Sequence, residues 1–440
     1  MEKKKIRVSL ITLGCFKNIV DSEVLGGLLR KKGLEIIEPY EDADWVVINT
    51  CGFIRDAKEE SIDEILRTLE KKENGEIKQV AIMGCLTERY MEDLKENFKT
   101  SDIVWGVNDI DELANAIADR SDVTYNRNNL FLYDEKYERE ITTTPNMTYI
   151  KISEGCNMKC SFCAIPEIRG SFRSRTIESI VTEAQQLKQK GFEELNLISQ
   201  NSTHFGKDRS NRSELPDLLE AISTVGFKWV RVLYLMPEEI TDEILDGFDN
   251  PTILPYFDLP FQHVAGSLLN RMQRSGSTER HMGLIERIRA QYPEAIIRST
   301  FIIGFPGETD AEFDELERFA HEAKIERIGV FGFSPEENTE AFDLEDKVDE
   351  EVIEERKERM MDVSDDNLER HNQAITGKEF EFIPLGPCPW DGEMTIGRIS
   401  IQAPEVDGVT IVNRKFEEDY SIYWIRITGG EFDTLYGDPI

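Results

Sequence analysis

Met147-Thr148-Tyr149-Ile150-Lys151-Ile152-Ser153-Glu154-Gly155-Cys156-Asn157-Met158-Lys159-Cys160-Ser161-Phe162-Cys163 is the stretch that decides the fold of this chain. An apolar, strand-like run ends at Lys151-Ile152-Ser153, and three thiols follow at Cys-x3-Cys-x2-Cys spacing. A helical pattern runs from Thr176 to Lys190, so the cysteines occupy the loop after a strand. In α/β barrels, loops at the C-terminal ends of strands carry the chemistry. No histidine or fourth cysteine lies nearby to complete a tetrahedral zinc site. A cubane iron–sulfur cluster also takes four ligands, so three thiolates leave one iron open. A distorted zinc site and ordinary buried thiols are the alternatives, and the spacing weighs against both.

Residues 1–140 alternate strands and helices, as a parallel sheet with helices on both faces requires. Strands are expected at Arg7–Leu13, Trp45–Asn49 and Gln79–Met83, and helices at Asp21–Lys32, Ala57–Lys71 and about Met91–Asn97. Cys15, Cys51 and Cys85 each stand just past a strand, beside Gly14, Gly52 and Gly84. Parallel strands end at one edge, and open α/β sheets bind ligands there. Three thiolates converging on that edge make a second candidate iron–sulfur site; three core cysteines at strand ends are the plainer alternative.

The Cys156–Cys163 loop, with Phe162 between its last two cysteines, resembles the signature of radical S-adenosylmethionine enzymes. Leu13-Gly14-Cys15-Phe16-Lys17-Asn18-Ile19-Val20-Asp21-Ser22-Glu23 and Asn49-Thr50-Cys51-Gly52-Phe53-Ile54 resemble the amino-terminal domain of the methylthiotransferases within that group. The resemblance implies two [4Fe–4S] clusters. One, on Cys156, Cys160 and Cys163, reductively cleaves S-adenosylmethionine; the other, on Cys15, Cys51 and Cys85, carries or donates sulfur.

The central region repeats strand and helix, with strands expected at Glu194–Ile198, Trp229–Leu235, Tyr256–Leu259, Ile296–Ile303 and Arg327–Phe333. With the first strand these make about six βα units, a partial TIM-like barrel. Leu197-Ile198-Ser199-Gln200-Asn201, Leu235-Met236-Pro237-Glu238 and Phe301-Ile302-Ile303-Gly304-Phe305-Pro306-Gly307-Glu308-Thr309 are similar to the family's cofactor-contacting strand ends. By that resemblance Phe162, Gln200, Arg298, Ile303 and Gly304 are the expected S-adenosylmethionine contacts. Each has a structural alternative, and Gly304-Phe305-Pro306-Gly307 also reads as a turn. His263 reads as structural, because radical abstraction of hydrogen requires no base in its first step. Arg169, Arg173 and Arg175 stand ready to hold carboxylates, either of a ligand or of the chain's own acidic residues.

Asp346 to about Gln373 reads as a solvated, highly charged helix. From Gly377 the chain turns to short strands (Phe380–Ile383, Thr395–Ser400, Gly408–Val412, Ser421–Thr428) separated by Gly, Pro and Asp, an antiparallel OB-like barrel that resembles the TRAM module. Cys388 reads as a loop thiol. The fold class is therefore α/β with a small β-barrel appended, in three domains, 1–140, 141–373 and 374–440, within the two to four that 440 residues predict.

The chain carries 52 basic and 86 acidic residues, a formal charge of −34. From Gly377 onward five basic residues face twelve acidic ones, a poor footprint for nucleic acid. Such a surface attracts a basic protein. Asn18–Glu23, Ala57-Lys58-Glu59-Glu60-Ser61, Phe331–Glu336 and Ala403–Gly408 resemble the ribosomal-protein branch of the family, the RimO type; Gly332 and Phe333 depart from its pattern. The implied activity is methylthiolation of the β-carbon of an aspartate in small-subunit ribosomal protein S12, with an electron donor such as flavodoxin or ferredoxin. The alternatives are a tRNA adenosine 2-methylthiotransferase, an iron–sulfur carrier and a zinc-stabilised scaffold. Seven cysteines, an odd number, argue against a disulfide framework, and no run of about 18 or more apolar residues is present, so a reducing cytoplasm and no membrane contact are expected.

Overall fold

Burial on both faces marks the central strand of the first sheet. All six residues of Trp45–Thr50 are buried, as a parallel strand covered by helices requires. The computed structural model describes residues 5–38, 40–119, 124–143, 146–416 and 421–440. Its first region runs β1 (Arg7–Thr12), α1 (Phe16–Lys31), β2 (Glu35–Ile36), β3 (Trp45–Thr50), α2 (Arg55–Glu73), β4 (Gln79–Gly84), α3 (Cys85–Arg89), α4 (Met91–Asn97), β5 (Ile103–Val104) and α5 (Ile110–Asp119). The strands are parallel in the order β2-β1-β3-β4-β5. The order reverses between β1 and β3, the switch point at which such sheets open a crevice. α1 begins earlier than Asp21 because Cys15 takes its N-cap in an extended conformation.

The second region contains β6 (Met147–Lys151), β7 (Ser153–Glu154), α6 (Ile165–Arg169), β8 (Arg173–Ser174), α7 (Ile177–Gln189), β9 (Glu194–Ile198), α8 (Leu215–Ser223), β10 (Trp229–Val232), α9 (Asp242–Asp246), β11 (Tyr256–Asp258), α10 (Gly266–Arg271), α11 (Thr278–Gln291), β12 (Ile296–Ile303), α12 (Asp310–Glu322) and β13 (Arg327–Gly332). Two parallel triplets, β6-β9-β10 and β11-β12-β13, join through a Val230–Ile253 bridge and the Leu235 N–H donating to the Asp258 carbonyl at 2.9 Å. The result is a partial barrel of six strands. Its β6 edge packs on α1, where Phe16 stacks on Tyr149 with centroids 4.8 Å apart. The short antiparallel pair β7–β8 clamps the base of the cysteine loop.

α13 (Glu350–Ile375) corrects the expectation of a solvated helix. Arg356, Met360, Val363 and Asn367 are buried at a spacing that keeps them on one face, and the helix packs on α12 and β13. Two of those four residues are polar, so an apolar stripe is hardly visible. Arg356 satisfies Glu308 at 3.1 Å and Asp310 at 2.6 Å, and Asn367 donates to the Ala320 carbonyl at 2.9 Å.

The chain ends in a closed five-stranded barrel of β14 (Glu379–Cys388), β15 (Asp391–Ile399), β16 (Val409–Val412), β17 (Tyr423–Glu431) and β18 (Thr434–Pro439), ordered β14-β15-β16-β18-β17. It is not wholly antiparallel: β16 and β18 run parallel. β18 is not among the strands expected above: Gly437, Asp438 and Pro439 break any apolar alternation in it. Cys388 is buried at the end of β14 rather than in a loop. This barrel docks through buried charge. Arg398 meets Glu194 at 2.6 Å, Arg231 pairs with the same carboxylate, and the Tyr256 hydroxyl donates to Asp407 at 2.6 Å.

Candidate active site

The Cys15–Cys51–Cys85 edge is built by close backbone approach. Gly14 has φ +88°, and a Cβ there would lie 2.7 Å from the Cys51 Cβ. Gly84, at φ +111°, would place one 2.5 Å from the Thr50 carbonyl oxygen. Asn18 ties the loops together, donating to the Leu13 and Thr50 carbonyls at 2.8 and 3.2 Å. Ser61 brackets Cys51, accepting its N–H at 3.0 Å and donating to its carbonyl at 2.9 Å. Burial, with the neighbouring thiols adding to it, pushes the Cys51 thiol up to about 12 and raises Cys85 as well. These sulfurs become thiolates only with a compensating positive partner.

The second cysteine set hangs on the loop between β7 and β8. The Cys156 N–H donates to the Gly170 carbonyl at 3.2 Å, and its sulfur accepts the Met158 N–H at 3.4 Å. Ser161 pins the centre of the loop, its N–H donating to the Met272 carbonyl at 3.0 Å and its hydroxyl to that of Arg271 at 2.8 Å. Phe162 packs against the cluster that holds Leu268, Met272 and Phe305, as does Phe333. Burial first, then the neighbouring thiols, pushes Cys163 up to about 12. Arg274, buried and held by Glu238 at 2.5 Å, draws Cys160 the other way. Nothing in sequence spacing singles out Arg274, more than a hundred residues from the loop it serves.

One cation beside the edge set comes from the helix that follows the cysteine loop. Arg169, at the end of α6, reaches the Cys85 sulfur at 3.4 Å, Asn18 at 2.6 Å and Asp21 at 2.6 Å, with Glu154 at 3.5 Å. Lys151 pairs with Asp21 and, at 2.6 Å, with Glu154. Burial raises Glu154, but Lys151 and Arg169 outweigh it and hold the carboxyl down at about 2. Arg175 instead serves Glu183, and Arg173 donates to the Ser171 carbonyl at 2.7 Å.

Of the expected cofactor contacts, Gln200, Ile303 and Gly304 stand at the C-terminal ends of β9 and β12, whereas Arg298 lies near the start of β12, and each already has a partner. Gln200 donates to Glu154 at 2.8 Å, while its buried Oε1 has no hydrogen bond among the described residues. Arg298 pairs with Asp258 at 2.8 Å. The Ile303 carbonyl accepts the Phe333 N–H at 2.8 Å, and the Gly304 N–H donates to Glu308. His263 is buried, its Nδ1 accepting the Ala265 N–H at 3.0 Å, and burial lowers it to about 3, so it stays neutral.

The model of the family described as "Uncharacterized protein family UPF0004" matches residues 7–106, and that of the Radical SAM superfamily matches 150–320. The ribosomal protein uS12 methylthiotransferase RimO of Solibacter usitatus is 40% identical over 412 residues, spanning 93% of this chain and 88% of the relative. The protein of that name from Aquifex aeolicus is 41% identical over 410 residues, 92% and 91% of the two chains. The chain belongs to the RimO family. Like the rest of the family it is a radical S-adenosylmethionine enzyme. Among solved structures, the radical S-adenosylmethionine methyltransferase TsrM of Kitasatospora setae, with cobalamin and a [4Fe–4S] cluster bound, shares the fold at 14% identity. That match has a TM-score of 0.55 and covers 77% of this chain and 74% of TsrM.

The residues of this RimO family member fit the group its barrel implies. An all-thiolate donor set suits iron–sulfur clusters and zinc. Three sulfurs on one pinned loop, with Arg274 beside them, supply the ligands and a compensating charge. Among the described residues no three His, Cys, Asp or Glu side chains gather around a single-ion site.

Proposed function

We propose that this chain methylthiolates the β-carbon of an aspartate in ribosomal protein uS12, the substrate named for its relatives. In this reading residues 1–140 form the sulfur-carrying domain, 141–373 the radical domain and 374–440 the TRAM domain. Cys156, Cys160 and Cys163 hold the radical [4Fe–4S] cluster, and Cys15, Cys51 and Cys85 hold the second. When bound, the first supplies the electron that splits S-adenosylmethionine, and the second supplies the sulfur. One S-adenosylmethionine yields the radical and another the methyl group, with flavodoxin or ferredoxin as electron donor. Radical chemistry suits the target, because a β-hydrogen of aspartate is too weakly acidic for any side-chain base at neutral pH.

The chain's own groups do the positioning. Phe162 fixes the cysteine loop on the α10 cluster, and Arg274 offsets thiolate charge at Cys160. Gln200 and Arg298, oriented by Glu154 and Asp258, present amide and guanidinium groups to the cofactor together with the Ile303–Gly304 backbone. Arg169 and Lys151 compensate charge between the two cysteine sets. The observation that carries the reading is Arg169 itself: six residues beyond Cys163, it lies 3.4 Å from the sulfur of Cys85. The helix that follows the radical loop thus sets its guanidinium against the second cysteine set, so the two sets are neighbours in the fold, as a reaction joining both needs. No helix among the described residues is long and apolar enough to cross a membrane. The odd cysteine count suits a reducing cytoplasm.

The test is anaerobic reconstitution with iron and sulfide, then reaction with S-adenosylmethionine, reductant and either uS12 or tRNA, read by mass spectrometry. The expected result is a methylthio mass gain on the uS12 aspartate. The same gain on tRNA alone would replace this reading with the adenosine-modifying one.

A further inference from the structure

Lys17 is buried, 6% exposed, on the first turn of α1, two residues past Cys15. Among the described residues its ammonium makes no hydrogen bond or ion pair. It lies over the ring of Tyr234, whose centroid is 3.2 Å from Nζ. A cation–π contact of this kind holds a cation without neutralising it. Of the acidic groups facing Lys17, the Cys15 thiol acts on it most strongly and in the reading above is spent on a cluster iron, and the two carboxylates are committed elsewhere. Glu154 serves Lys151, Arg169 and Gln200, and Asp258 serves Arg298. Buried charges are ordinarily paired. In a chain of net charge −34, a buried cation left without a carboxylate stands out.

Tyr234 is placed there at a backbone cost. Its φ is +60°, uncommon for a bulky residue and a form of strain that collects at ligand sites. Two hydrogen bonds fix the strained turn: the Tyr234 N–H donates to Asp258 at 2.9 Å, and its carbonyl accepts the Ser202 N–H at 2.9 Å. Tyr234 lies past the end of β10, at the chemistry-bearing end of the barrel, whereas Lys17 belongs to the first sheet. The ammonium therefore sits where the two cysteine-bearing regions meet.

We propose that Lys17 is the group that binds the carboxylate of the substrate side chain, and so a specificity-determining residue for an acidic target. This rests on the reading above that the target is an aspartate of a ribosomal protein. An adenine ring is neutral and leaves an unpaired ammonium without purpose. A carboxylate completes it, and holds the β-carbon one bond from the anchored group.

The experiment measures binding of two forms of uS12, with Asp or Asn at the modified position, to the iron-loaded protein and to its Lys17→Met and Lys17→Arg variants. Iron content is measured for each. Wild type is expected to prefer the Asp form at least roughly tenfold, the gain expected of a charge-assisted hydrogen bond. Lys17→Arg keeps that preference and Lys17→Met loses it. An iron-loaded Lys17→Met that still prefers Asp overturns the assignment while leaving the uS12 reading intact. Should Lys17→Met fail to hold iron, wild type and Lys17→Arg decide, and the absence of an Asp preference in either overturns it. A wild type that binds neither form of uS12 overturns both.

Discussion

At the scale of the residue, Arg169 concentrates the account. It serves Asp21, Asn18, Glu154 and the Cys85 sulfur from a fully buried position. Removing one partner of a buried charge group leaves the others uncompensated, at about 3–5 kcal/mol. Arg169→Leu is therefore expected to lower urea stability by that order in the metal-free protein, and Arg169→Lys by clearly less; equal losses would show that charge at this point is immaterial. His263 makes a pH prediction. Burial lowers it from its ordinary 6.5 to about 3. Between those values the unfolded chain binds a proton that the folded chain refuses, so this histidine makes stability fall as pH drops from 6.5 towards 3. His263→Asn, which can still accept the Ala265 N–H, is expected to flatten the profile by about 1.4 kcal/mol per pH unit across that window. Parallel wild-type and variant profiles would refute the assignment.

At the scale of the element, α13 shows what sequence pattern conceals. Met360 is buried and Met361 is 53% exposed, adjacent residues on opposite faces. Met360→Ala is expected to cost about 2–5 kcal/mol, and Met361→Ala less than about 0.5, measured by chemical denaturation; similar costs would mean that the helix is solvated after all. The cysteine loop was legible because its three thiols sit within one short segment after a strand. The convergence of Cys15, Cys51 and Cys85 was legible because parallel strands must end together, which gathers them from positions more than thirty residues apart. Arg274, Asp258 and the Lys17–Tyr234 contact were not, since each joins residues that only the finished fold brings together. The parallel β16–β18 pairing is non-local in the same way.

At the scale of the whole molecule, a net charge of −34 favours a basic partner. Opposite charge speeds encounter and is screened by salt. Association with uS12 is expected to slow steeply between low and physiological ionic strength, read by stopped-flow fluorescence, whereas a salt-independent rate would show that the −34 charge plays no part in recognition. That a small β-barrel follows the α/β sheets was readable from texture alone, but the contacts between them were not. Glu194, Arg231 and Arg398 lock terminal barrel to central barrel through full burial, and polar residues spread over some two hundred positions carry no periodic signal. The central claim is that two cysteine sets divide radical generation from sulfur supply. Replacing Cys15, Cys51 and Cys85 together with alanine tests it most directly, with iron, 5′-deoxyadenosine and methylthiolated uS12 measured on the reconstituted protein. The account predicts a fall from roughly eight irons per chain to roughly four, continued formation of 5′-deoxyadenosine, and no methylthiolated product. Unchanged iron, or product formed at the wild-type level, would contradict it.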